Sequence, residues 1–65
     1  MVKYPEITVQ ITGEDGNAFS ILGKVRRALR AANIPAEEIK QFMNEAISGD
    51  YDHLLQTAMN YVNVE

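Results

Sequence analysis

Along the chain the spacing of apolar residues starts at every second position, changes to the helical pattern, and returns. Ile7, Val9 and Ile11 alternate with Glu6, Thr8, Gln10 and Thr12. This period of two, in a run rich in β-branched side chains, predicts a strand over 6–12 with one buried face. Pro5 stands at its entrance, where a missing N–H is tolerated. Gly13-Glu14-Asp15-Gly16-Asn17 is a dense cluster of turn formers and stops the strand. Asn17, or Asp15 for an earlier start, is the candidate N-cap of a first helix over 18–32. The buried arc of that helix is Ile21, Leu22, Val25, Ala28, Leu29 and Ala32. Gly23 lies on the polar arc, where glycine costs about 1 kcal/mol against alanine. It is either a site of close backbone approach or a plain surface position. Asn33 is the stop signal.

Pro35 suits the first turn of a second helix over 35–48, with Glu37 and Glu38 near its positive end. Ile39, Phe42, Met43, Ala46 and Ile47 follow the i, i+3, i+4, i+7, i+8 template. Ser48-Gly49 ends this helix, with Gly49 as the expected left-handed residue. The short link between helices one and two predicts an antiparallel helical hairpin. Asp50 caps a third helix over 51–60, whose stripe is Tyr51, Leu54, Leu55, Ala58, Met59 and Val62. Tyr61, Val62, Asn63 and Val64 then alternate, which predicts a short strand over 61–64. A lone first strand has unpaired N–H and C=O groups along both edges and needs a partner. The C-terminal segment is the one the chain offers.

The fold class expected is therefore α+β: a small two-stranded sheet covered on one face by three helices, as a single small domain over 1–65. Its expected core is Ile7, Val9, Ile11, Leu22, Val25, Leu29, Ile39, Phe42, Met43, Ala46, Leu54, Leu55, Ala58 and Met59.

Size and composition narrow the function classes. A chain of 65 residues buries only about 60% of its unfolded surface, so domains of this length lean on a staple or a partner. Cysteine is absent and there is one histidine, so no disulfide framework, thiolate site or classical zinc site is available. No metal and no cofactor is expected. Self-association as a homodimer is the staple left over. The first residues contain no apolar run of signal length, and no stretch approaches the ~20 apolar residues of a membrane span. A cytoplasmic protein that does not engage membranes is expected. The net charge of −3 argues against general nucleic-acid binding, which favours strongly basic domains.

Against that acidic background, four of the six basic residues fall between Lys24 and Arg30. Wound as a helix, Lys24, Arg26, Arg27 and Arg30 share one arc roughly 160° wide, opposite the apolar arc. They are the candidate partner-binding residues. Several guanidinium groups there could hold an acidic protein surface or phosphates. A helix must also solvate one face, and arginine does that well. Phe19 is the one aromatic residue near them, which disfavours single-strand binding by base stacking.

Other constellations are weaker. Helices two and three loosely suit a helix-turn-helix reader, but its recognition helix would open on Asp50, Tyr51, Asp52 and His53, with no lysine or arginine. His53 beside Asp50 and Asp52 is a conceivable acid–base site, yet Asp52 and His53 point about 100° apart on a helix. Ser48 lies in no nucleophile elbow. No catalytic residue is assigned. Glu14-Asp15-Gly16-Asn17 lacks the alternating carboxylates and closing glutamate of a calcium loop, and Gly13 and Gly16 lack the lysine of a phosphate loop. Met43 and Met59 read as core fillers. Tyr51 and Tyr61 read as core-edge residues that a dimer could use as anchors.

Two blocks, Gly13-Glu14-Asp15-Gly16-Asn17-Ala18-Phe19 and Glu45-Ala46-Ile47-Ser48-Gly49-Asp50-Tyr51-Asp52-His53-Leu54-Leu55, with the close on Tyr61-Val62-Asn63-Val64, resemble a family of short bacterial and phage proteins without an assigned activity. The resemblance implies a stand-alone prokaryotic domain and carries over no ligand or catalytic residue. The function expected from the residues is a non-catalytic protein-interaction module. It would use the basic face of helix one or a sheet edge. The alternatives are weak nucleic-acid binding through the same four cations and a small enzyme built on His53.

Overall fold

The computed structural model describes residues 1–11 and 17–65. The elements are β1 (Tyr4–Val9), α1 (Ala18–Ala31), α2 (Ala36–Ala46), α3 (Tyr51–Tyr61) and β2 (Val62–Val64). The α+β arrangement is the expected one, with all three helices between the two strands of one sheet. Of the turn expected over 13–17, positions 13–16 lie outside the described residues, among them Asp15, the alternative N-cap.

The strands run parallel. Parallel neighbours cannot be closed by a hairpin and need a long crossover, which the helices provide. Tyr4 pairs with Val62, Thr8 with Asn63 and Val9 with Val64. Between the first two pairs β1 advances four residues while β2 advances one. Pro5 falls in this irregular stretch, where it has no N–H to offer a ladder. The side-chain amide of Asn63 donates to the Pro5 carbonyl instead. This corrects the expected strand limits of 6–12. The strand starts at Tyr4 because Tyr4 already has a partner, and Pro5 lies inside it. Main-chain pairing continues past Val9, with Glu65 N–H on the Val9 carbonyl at 2.9 Å and Ile11 N–H on the Glu65 carbonyl at 2.7 Å. Ile7, Val9 and Val62 turn inward, while Glu6, Thr8 and Asn63 face solvent.

Local chemistry sets the helix ends. Asn17 Oδ1 accepts from Phe19 N–H at 2.9 Å, as an N-cap should. Asn33 takes a left-handed backbone, φ 63°, which asparagine tolerates better than most residues. The chain then folds back, with Ile34 N–H on the Leu29 carbonyl at 3.0 Å. Pro35 occupies the N-cap position with extended backbone, so α2 begins at Ala36 rather than at the proline. It ends at Ala46, two residues before the expected limit. Ser48 N–H bonds the Glu45 carbonyl at 3.2 Å, tightening the last turn. The third helix keeps Tyr61, so β2 opens at Val62.

Most of the expected core is buried, including the whole Ile7-Val9-Ile11 ribbon. Ile21 and Val62 belong to it as well, and Thr57 is the one buried polar residue among the described residues. Four expectations are corrected. Met59 is 49% exposed, and Met43 and Leu55 are half-buried. Ala32 sits beyond the last turn of α1 and is exposed. Tyr61 meets Phe42 edge-on, ring centres 5.1 Å apart, and Tyr4 at 6.3 Å.

A polar clamp closes over these rings. Lys3 Nζ and Tyr4 Oη both donate to Glu38 Oε2, at 2.7 and 2.8 Å. The hydrogen bonds from Lys3 and then Tyr4 hold the Glu38 carboxyl below its ordinary pKa. The bond to Glu38 raises the Lys3 ammonium, while burial first and the Glu38 bond second raise the Tyr4 hydroxyl. A lowered carboxyl stabilises the fold above its ordinary value, near 4.3, and that contribution disappears as pH falls through the folded value. The raised Lys3 and Tyr4 contribute below their ordinary values and lose this as pH rises through the folded ones. Glu38→Gln should therefore lower the thermal midpoint slightly near neutrality and flatten its fall below about pH 4.3. Thermal melts across pH check this; an acid limb identical to wild type would disprove the linkage.

Candidate functional site

The four basic residues do not form one uniform wet face. Arg26, Arg27 and Arg30 are exposed, and none makes an ion pair among the described residues. Lys24 is half-buried and donates to the Gln10 carbonyl at 3.2 Å. That carbonyl points away from β2, because its neighbours Val9 and Ile11 spend their main-chain groups on Glu65. Lys24 thus guards the outer edge of the sheet, a common defence against edge pairing. The same contact weakens the sheet edge as a docking surface.

At the other end of α1 the surface changes from basic to apolar. Ala18, Phe19 and Leu22 from α1, Ala46 and Ile47 from the end of α2, and Asp50, Tyr51 and Leu54 around the start of α3 line an open hollow of about 230 Å³. Phe19 is 83% exposed, Ile47 61% and Tyr51 39%. Scattered apolar side chains on a surface need no explanation, but three large ones around one concavity form a patch. Tyr51, expected at the core edge, lines this hollow beside the buried Leu22, Ala46 and Leu54. Ile47, on the helical template, falls just past the end of α2 and so leaves the core.

Between hollow and core lies the α2–α3 corner. Asp50 Oδ1 accepts from His53 N–H at 2.9 Å and caps α3. Asp50, one of the two aspartates beside His53 in the sequence, therefore serves the histidine main chain. The carboxylate beside the ring is that of Glu45, with Oε2 3.0 Å from Nε2. Nε2 also lies 2.8 Å from the Glu45 carbonyl, which can only accept, so Nε2 carries the proton. Ser48 Oγ donates to the same carbonyl at 2.7 Å and stands 3.2 Å from Nε2. Serine and histidine here look like a nucleophile and its base. Both instead spend their protons on one carbonyl at the end of α2, the Glu45 carbonyl that also takes the Ser48 N–H. Thr57 Oγ1, buried below, donates to the His53 carbonyl at 2.8 Å. Gly49 is needed for packing and not for a left-handed turn. A Cβ there would stand 2.9 Å from both Cβ and Cγ of His53.

Sequence reasoning located the arginines and His53 but missed the hollow and Glu45. Phe19 was legible in part, since it lies on the polar side of α1 by helical angle. Glu45 comes to His53 across a turn, which no periodicity reports. Among the described residues, no three His, Cys, Asp or Glu side chains are grouped to hold a metal ion, and no helix is long and apolar enough to cross a membrane. No family model, no curated protein and no solved structure matches the chain.

Proposed function

We propose that this chain is a non-catalytic protein-interaction module. Its contact surface is the solvent side of α1, from Phe19 and the adjoining hollow to Arg26, Arg27 and Arg30. The observation that carries the reading is the gathering of Phe19, Ile47 and Tyr51, all exposed, around one concavity. Aromatic residues and arginine are the types most enriched at protein contact sites, where a few buried anchors dominate the affinity. The His53 corner supports a structural role over a catalytic one, because its imidazole proton and the Ser48 proton both close the end of α2.

In-cell cross-linking and affinity capture test the reading with two surface variants. Phe19→Ala with Ile47→Ala removes the apolar anchors, and Arg26→Glu with Arg27→Glu and Arg30→Glu reverses the basic row. Both should keep a wild-type circular-dichroism spectrum and recover the partner at least ~10-fold less well, as loss of hot-spot residues does. Recovery unchanged in both would remove this surface. A second reading, nucleic-acid binding, is favoured by the three exposed guanidinium groups, which make no ion pair among the described residues. It predicts retention of DNA or RNA at ~50 mM salt that falls steeply as salt rises; no retention at low salt ends it.

A further inference from the structure

Taking that surface as the contact site, we infer that its occupant is a second copy of this chain, docked α1 against α1 in antiparallel fashion about Gly23. The inference rests on the interaction-module reading and names its partner.

The outward stripe of α1 is self-complementary. Phe19, Gly23, Arg26 and Arg30 follow the i, i+4, i+7, i+11 spacing, so they line up along one side of the helix. A twofold axis at Gly23, perpendicular to the helix, sends Phe19 of one copy about 6 Å past the centre, at 1.5 Å per residue. There it falls between Arg26, about 4.5 Å past the centre, and Arg30, about 10.5 Å past it. Each copy then places one aromatic ring between two guanidinium groups of the other, and the contact occurs twice. Guanidinium groups over an aromatic face are mutually attractive, and arginine stacks well on rings.

Two further features fit this occupant. Gly23 has no Cβ, and only the far end of Arg27, 3.6 Å from where one would stand, approaches that position. Two helices can come close there once a flexible side chain swings aside. Asp50 lines the hollow beside Phe19, with Oδ1 taken by His53 N–H. Its carboxylate carries the charge opposite to that of an arriving guanidinium. The copy thus brings cations to the end of α1 that has none. Like-charged ends would meet in a parallel arrangement, so the antiparallel one is selected.

The contact is small. Helices of 14 residues that cross once cover less than the ~800 Å² per partner of a standard interface. A weak dimer follows, with a dissociation constant on the order of 10 µM to 1 mM.

Sedimentation equilibrium of the full chain from about 10 µM to 1 mM, the range set by that affinity, tests it. Wild type should rise from 7.3 kDa towards twice that mass. Phe19→Ala removes the ring, and Gly23→Lys puts a long cation on the axis among four arginines. Phe19 is exposed, and a side chain at Gly23 would meet only the far end of Arg27, so both variants should keep the helical spectrum. Each should weaken the dimer at least ~10-fold, the ordinary effect of losing an interface anchor. A monomeric wild type at 1 mM, or variants that dimerise like wild type, would overturn the inference. If wild type stays monomeric while partner capture still depends on Phe19, the second copy is excluded and the interaction-module reading stands. Capture indifferent to the surface variants removes that reading instead.

Discussion

Replacing Phe42 with alanine is expected to unfold most of the population at physiological temperature. Phe42 is fully buried at the middle of α2 and presents its ring to the edge of Tyr61. Deleting a buried phenyl group costs about 3–5 kcal/mol, the lost transfer energy plus the cavity left behind. At 0.05–0.15 kcal/mol per residue, a chain of this length has about 3–10 kcal/mol in total. Each kcal/mol moves the midpoint of a domain this size by about 4–8 °C, so a drop of at least ~12 °C is expected. Met59→Ala, on the same scale, should stay within about 0.5 kcal/mol of wild type, because that side chain is half in water. Thermal melts followed by far-ultraviolet circular dichroism compare the two. A Phe42→Ala midpoint within a few degrees of wild type would mean that α2 does not anchor the core.

How far the fold was legible follows from which signals are local. The Ile7-Val9-Ile11 alternation, the Asn17 and Asp50 caps and the Asn33 stop are each decided within a few residues. All four stand where the sequence puts them. The third helix shows where local reading fails. The apolar residues Leu54, Leu55, Ala58 and Met59 predict its stripe. The buried face is instead Leu54, Thr57 and Ala58. Met59 lies ~140° from Leu54 around the helix and so faces water. Thr57 takes the inward position because its hydroxyl bonds back to the His53 carbonyl, which leaves only its methyl group to be packed.

The candidate surface was legible in one half only. A row of arginines is a property of one helix and can be counted from the sequence. The hollow needs Phe19, Ile47 and Tyr51, contributed by three elements, and their meeting is a tertiary fact. Gly49 makes the same point in miniature. The residue type predicts a backbone requirement, whereas the constraint is the His53 side chain pressed against it. Glycine after a helix signals a tight corner without saying which atom makes it tight.

Putting an aspartate at Val62 is expected to destroy the fold as thoroughly as the loss of Phe42, by a different route. Val62 is the residue on which helical and strand periods overlap in the sequence. It is fully buried, opens β2, and pairs with Tyr4. A carboxylate there would lie within the apolar core cluster, and an uncompensated buried charge costs about 3–5 kcal/mol. The group can escape only by becoming neutral or by pulling β2 off the sheet. Detachment would leave β1 with no partner strand and bare its remaining edge, an invitation to aggregate. Val62→Asp should therefore lose its cooperative melt at neutral pH, and regain part of it as acid neutralises the carboxyl. Val62→Ile keeps the shape class and should cost less than about 1.5 kcal/mol unless the added methylene is forced against the core. Melts of both variants at pH 7 and pH 4 decide the matter. A cooperative, wild-type-like melt for Val62→Asp at neutral pH would show that the terminal strand is dispensable, and with it the two-stranded sheet as the base on which the helices rest.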